Sequence, residues 1–185
     1  KMFDIQVKNS IIEHCEQQID KYNFGKRYTA NGNKEQQLTG IIGQCVVMEL
    51  FQLEYINGKD GFDNGIDIVY TNIFGSISLD VKTMGRTTSV KPNYTNNFIA
   101  LQDYFNPEGY IFCSYNKLNK VLTICGWVTK QEFINKRRLY PKGTIRERSN
   151  GTTFETKADL YEIDVIDLND IMDELDLKKQ LTLIL

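Results

Sequence analysis

The chain has 185 residues, 41% of them apolar, and a net charge of −2; that suits one globular domain with a sizeable core. No apolar run reaches the length of a membrane span and the opening Lys1-Met-Phe-Asp stretch has no signal-peptide core, so a cytoplasmic protein with no membrane partner is expected. Neither GxxxxGK[ST] nor GxGxxG occurs, which argues against an NTPase or a dinucleotide enzyme.

In chain order, Phe3 to Tyr22 reads as a helix carrying Ile5, Ile11, Ile12, Cys15 and Ile19, and residues 25–33 as a polar loop. Gln36 to Leu53 is the strongest helical segment, with Thr39 or Gly40 near its start; it is apolar nearly all round and therefore expected to be buried. A turn cluster over 57–61 leads into two strands, about Ile66 to Tyr70 and Ile77 to Lys82, joined by Asn72-Ile-Phe-Gly75 as a hairpin. Arg86 to Asn97, interrupted by Pro92, is expected to be a substrate loop, and Phe98 to Phe105 a short helix. Tyr110 to Tyr115 and Val121 to Val128 read as apolar strands of a hairpin. Thr129 three residues before Glu132 forms a capping box for a helix to Asn135. Lys142 to Thr156 is expected to be a polar hairpin turning at Ser149-Asn-Gly151, Tyr161 to Val165 a strand, and Asn169 to Lys179 an acidic helix.

The chemistry concentrates in the first hairpin. Asp67 and Asp80 stand thirteen positions apart, and Lys82 follows the second acid by two. Residues i and i+2 of a strand share a face, so Asp80 and Lys82 point the same way. Antiparallel pairing across the Asn72–Gly75 turn brings Asp67 near Asp80. Two converging acids favour a hard cation with oxygen ligands, and a nearby lysine stabilises developing oxyanion charge or polarises a water. A surface pair on an edge strand is the plainer reading of Asp80 and Lys82. Apolar segments on both sides of the hairpin favour an interior position instead, where charges need partners.

This pattern resembles the core of the PD-(D/E)xK nuclease superfamily, the restriction-endonuclease-like fold, over roughly Gly40 to Val128. Asp67 matches the first acid and Asp80-Val81-Lys82 the (Asp/Glu)-x-Lys element; the proline of the name is absent, with Ile66 before Asp67. The resemblance implies an α/β fold with a central mixed β-sheet flanked by helices, here with an additional polar β-hairpin. It implies a Mg²⁺ site, which Mn²⁺ can also fill, held by Asp67, Asp80 and the Val81 carbonyl, with Lys82 acting on the scissile phosphate. The family's helix often carries a glutamate directly after a glycine. Gln44 stands there, twenty-three residues before Asp67. Glu49, on the stripe with Ile42, Val46 and Leu53, is the alternative third acid, and the two remain open.

The implied activity is phosphodiester hydrolysis, in DNA, by an endonuclease. Its alternative is a catalytically weakened or inactive module of the same fold that binds nucleic acid or a partner protein. A small-molecule enzyme is less supported. Twelve Lys and Arg against four Asp and Glu fall between Lys82 and Arg148, an asymmetry that suits one phosphate-facing side. Thr83, Arg86 and Lys91 are expected to line the approach, with Gln102 nearby and Arg146 and Arg148 clasping the backbone from the polar hairpin. Whether the protein forms a homodimer stays open. The four cysteines (Cys15, Cys45, Cys113, Cys125) lack C-x-x-C spacing and are expected to be buried free thiols. The single histidine, His14, sits in a polar helical stretch and reads as a surface residue.

Overall fold

The computed structural model describes residues 1–24, 32–60, 65–148 and 151–185. Phe3, Ile5 and Val7 alternate with polar residues, and this stretch is a strand, β1 (Phe3–Gln6), before the helix α1 (Asn9–Lys21) begins. The period changes from two to 3.6 at Val7, so a single helix from Phe3 merges two elements. β1 pairs antiparallel with β6 (Val121–Thr129), β6 with β5 (Gly109–Asn116), β5 parallel with β3 (Gly75–Arg86), and β3 antiparallel with β2 (Ile68–Asn72). The resulting mixed sheet has the order β1-β6-β5-β3-β2. Its central strands β5 and β6 are buried almost throughout, which is why they read as continuous apolar runs.

One face of this sheet is covered by helices. α2 (Lys34–Leu50) starts at Asn33, whose side chain accepts from the Gln36 amide while Gln36 reaches back, a complete capping box. The cap lies upstream of the Gln36 start expected from hydropathy. The helix is apolar on nearly every side as expected, and Ile42, Cys45, Val46 and Val47 join Ile11, Cys15, Ile77, Leu79 and Val81 in one core. α4 (Glu174–Thr182) closes that core with Leu177 and Leu181 and holds the Trp127 indole through Gln180 at 2.9 Å. All four cysteines are free and buried.

The other face is not covered mainly by helices. β4 (Thr95–Ile99), β10 (Leu160–Asp164) and β7 (Arg138–Tyr140) form a second, antiparallel sheet in the order β4-β10-β7. Beside it α3 (Lys130–Lys136), started by the Thr129–Glu132 capping box, contributes Phe133 to the second core. The expectation of a mixed sheet flanked by helices holds in part: α1, α2 and α4 cover one face, while the other carries a small sheet beside the short helix α3. Of the segment expected to be a loop and then a helix, residues 87–94 are irregular as expected, but Thr95–Ile99 forms β4 and the helix is reduced to a single 3₁₀ turn over Ala100–Gln102. The Asn-rich Thr-Asn-Asn-Phe-Ile stretch has the period-2 burial of a strand, and its ladder partner β10 lies more than sixty residues ahead. The polar hairpin exists as β8 (Ile145–Glu147) and β9 (Thr153–Glu155); Ser149 and Asn150 of its expected turn lie outside the described residues, as do most of 25–33 and Gly61 of the first turn cluster.

Helix and sheet approach closely at Gly43, where a Cβ would stand 1.9 Å from the Thr83 hydroxyl of β3. A Gly43→Ala change has to push α2 off the sheet, with an expected cost of about 2–3 kcal/mol. Urea denaturation of the variant checks this, with an unchanged midpoint excluding the close approach.

Candidate active site

Ile68 is in register with Leu79, so β2 begins one residue after Asp67. There the ladder breaks. The Asp67 amide donates to the Leu79 carbonyl at 3.0 Å, and the Val81 amide donates to Asp67 Oδ2 at 2.7 Å. A side-chain carboxylate thus stands where the next strand residue's carbonyl would be. The Val81 carbonyl lies on the same side of β3 as its amide and faces the same gap.

Asp80 and Lys82 occupy the opposite face from Leu79 and Val81, which pack under α2. Asp80 is 3% exposed, and its Oδ2 pairs with the Lys82 ammonium at 2.5 Å. The ammonium also sits over the Phe98 ring of β4, 5.3 Å from the centroid. Asp80 is in register with Tyr110 of β5, whose buried hydroxyl has no partner among the described residues. Burial raises the Tyr110 phenol, the charges of Asp80 and Asp103 add to that, and Arg137 opposes it. The two acids of the motif therefore meet at one peptide, Asp80–Val81, from two directions. Asp67 approaches in the plane of the sheet and Asp80 stands on its second face.

Gln44 is 7% exposed and lines a cleft of about 760 Å³ together with Asp67, Glu49, His14, Tyr55 and Asp60. The structure brings Gln44 and Asp67 to one opening. Glu49 lies on its rim with Oε1 engaged: that oxygen accepts from the Tyr55 hydroxyl at 2.7 Å and from Lys8 at 3.0 Å. The Tyr55 hydrogen bond holds the Glu49 carboxyl below the usual range, Lys8 adds to this, and partial burial opposes both. His14 is corrected from a surface residue. It is half-buried on α1, its Nε2 is 2.8 Å from the Ile56 carbonyl, and its ring packs on Tyr55 with centroids 5.4 Å apart. Because a carbonyl only accepts, Nε2 carries the hydrogen. Its polar helical neighbours hide this placement, since the partner comes from the turn after α2.

Of the expected nucleic-acid contacts, Lys91 is exposed on the connection after β3. Arg86 folds back, donating to the Thr95 carbonyl at 2.8 Å above the Tyr94 ring, and burial lowers its guanidinium from the usual value. Gln102 is buried in the 3₁₀ turn. Arg146 pairs with the buried Glu162 at 2.6 Å and stacks on Tyr140 at 3.8 Å. Arg148 stays exposed at the hairpin's end, over Phe154.

Among the described residues no group of three or more His, Cys, Asp and Glu side chains gathers. Gln44 shares with Asp67 a cleft that Asp80 and Lys82 do not line, while the oxygen donors at the Asp80–Val81 peptide are the Asp67 and Asp80 carboxylates and the Val81 carbonyl. Their chemistry fits a hard divalent cation, since all are oxygens and two carry charge. Comparison with known proteins finds no matching family model, no similar curated protein and no similar solved structure.

The Arg146 geometry separates a fold role from a binding role. Arg146→Ala leaves the Glu162 carboxylate buried without its cation and is expected to cost about 2 kcal/mol. Replacing both, with Arg146→Met and Glu162→Leu, should recover most of that. Chemical denaturation of the single and double variants checks it; a single variant as stable as the parent removes the clamp.

Proposed function

We propose that the protein is a Mg²⁺-dependent nuclease that hydrolyses phosphodiester bonds, with DNA as substrate and endonucleolytic cleavage as the mode. The observation that carries this reading is the Asp67 carboxylate on the Val81 amide, at the peptide between Asp80 and Lys82. A strand that ends on an acid, beside a strand bearing an acid and a lysine on one face, is an arrangement with a catalytic use and a cost to stability. Asp80 and Lys82 are both largely removed from water, which a solvated surface pair avoids. The reading also takes α2, the β2–β3 hairpin and β5–β6 as a restriction-endonuclease-like core.

Asp67, Asp80 and the Val81 carbonyl would hold the cation, which when bound acidifies a water and neutralises scissile-phosphate charge. Asp80 uses Oδ2 for Lys82, leaving Oδ1 for a second partner. Lys82 supplies a fixed positive charge where the transition state gathers negative charge. Gln44, unable to add charge, orients a water through its amide. The surplus of Lys and Arg from Lys82 to Arg148 supports a polyanionic substrate, with Lys91 and Arg148 the exposed cations of the expected set. The second reading, a binding module without catalysis, is favoured by one observation: the neutral Gln44 stands in the cleft beside Asp67.

Asp80→Asn and Lys82→Met keep side-chain volume and are expected to lower plasmid cleavage in Mg²⁺ by roughly a hundredfold or more. Asp80→Asn should also weaken Mn²⁺ binding in calorimetric titration, whereas Lys82→Met should not. Equal Mn²⁺ affinity in the parent and Asp80→Asn sinks the metal assignment, and binding of DNA without cleavage by the parent selects the second reading.

A separate titration addresses the helix. Gln44→Glu adds a charge at the cleft and is expected to tighten Mn²⁺ binding. Glu49→Gln should leave cleavage nearly unchanged, because Tyr55 and Lys8 hold the side chain at the rim through Oε1. An inactive Glu49→Gln reverses the assignment.

A further inference from the structure

We propose that Phe98 is a positioning residue for Lys82, its ring fixing where the ammonium stands. The proposal rests on the nuclease reading for its effect on catalysis, though not for the contact itself. A lysine ammonium is a point charge on a flexible four-carbon stem, and one ion pair leaves it free to swing about its partner. Here a second constraint comes from the Phe98 face, 5.3 Å away, within cation–π range. Lys82 is also largely desolvated, with 17% of its side chain exposed, and such contacts strengthen out of water.

The ring is itself immobilised. Phe98 is buried, meets Tyr110 edge-on at 5.3 Å and 82°, and packs on Phe133 at 4.9 Å. Its strand is held by β10 through five paired residues, Thr95–Ile99 against Leu160–Asp164. Arg137 locks the neighbouring rings from outside, stacked 3.7 Å from Tyr161 and paired to Asp103. The second sheet thus presents one aromatic face to one ammonium.

The chemistry suits a phosphate-directed lysine better than a second carboxylate would. An aromatic face attracts a cation through its quadrupole yet carries no net charge, so it repels an incoming phosphate far less than a second carboxylate would. When Asp80 oxygens turn to a metal, the ring still restrains the ammonium. A purely space-filling role for Phe98 predicts that only its shape matters.

Replacing Phe98 by mono-, di- and trifluorinated phenylalanine keeps the ring's shape while draining its negative face. Plasmid cleavage at saturating Mg²⁺ and DNA should fall stepwise in kcat, roughly tenfold across the series, with KM and melting temperature nearly constant. In parallel, the rate of Lys82 acetylation by acetic anhydride, read by mass spectrometry, should rise along the series as the ammonium is released from the ring. Acetylation that does not change with fluorination overturns the proposal, whatever cleavage does. If acetylation responds but no protein in the series, parent included, cleaves DNA, the Phe98 contact stands and the nuclease reading fails.

Discussion

The buried ion pair of Asp80 and Lys82 is the constraint around which the second half of the molecule is organised. Placing two charges beneath a sheet face costs several kcal/mol per ion unless geometry and further partners offset it. At 2.5 Å the pair supplies the first compensation, and the Phe98 ring supplies another. The ring contact requires a layer on the far side of β3, and the β4-β10-β7 sheet provides it. Without that layer the face bearing Asp80, Tyr110 and Phe112 would lie open to water. The helices α1 and α2, by contrast, cover a face of Leu79, Val81 and Ile111 that needs only hydrophobic contact.

That difference explains what could be read from the chain. α2, the β2–β3 hairpin, β5, β6 and the Thr129–Glu132 cap rest on local signals: periodicity, a short turn, a capping pair. Their existence is legible, though β3 runs four residues past Lys82 to Arg86 and α2 starts earlier than hydropathy suggests. The second sheet rests on pairing between segments far apart in sequence, such as Thr95 with Asp164. β4 carries two asparagines and follows Pro92, so propensity favours a loop, and tertiary pairing overrides it. β7 is three residues long and too short to show a period.

The candidate site divides along the same line. Asp80 and Lys82 are visible because strand alternation fixes their common face, and Asp67 because the short turn brings it across the hairpin to β3, although β2 begins one residue after it. Gln44 is reachable only through the position that the family resemblance implies. Phe98 and His14 are not, because each acts through a neighbour supplied by the fold: Lys82 for one, the Ile56 carbonyl and Tyr55 for the other. Arg146 errs in the opposite direction. Its charge suggests an outward role, yet Glu162 on β10 and Tyr140 on β7 hold it against the second sheet.

The pairing of β4 with β10 also sets an order of events. During synthesis β3 and its Asp-x-Lys face emerge well before Leu160–Asp164, and contacts of such long range close slowly because the loop between them must be ordered first. Until then β4 has neither of its later companions: the central strand β10 is missing, and β7 reaches this sheet only through it. A nascent chain therefore carries its paired acid and lysine on an uncovered sheet face, with Phe98 not yet anchored. The ammonium gains its aromatic floor only when the C-terminal third arrives. Covering of the Asp80–Lys82 face is thus tied to the pairing of β4 with β10.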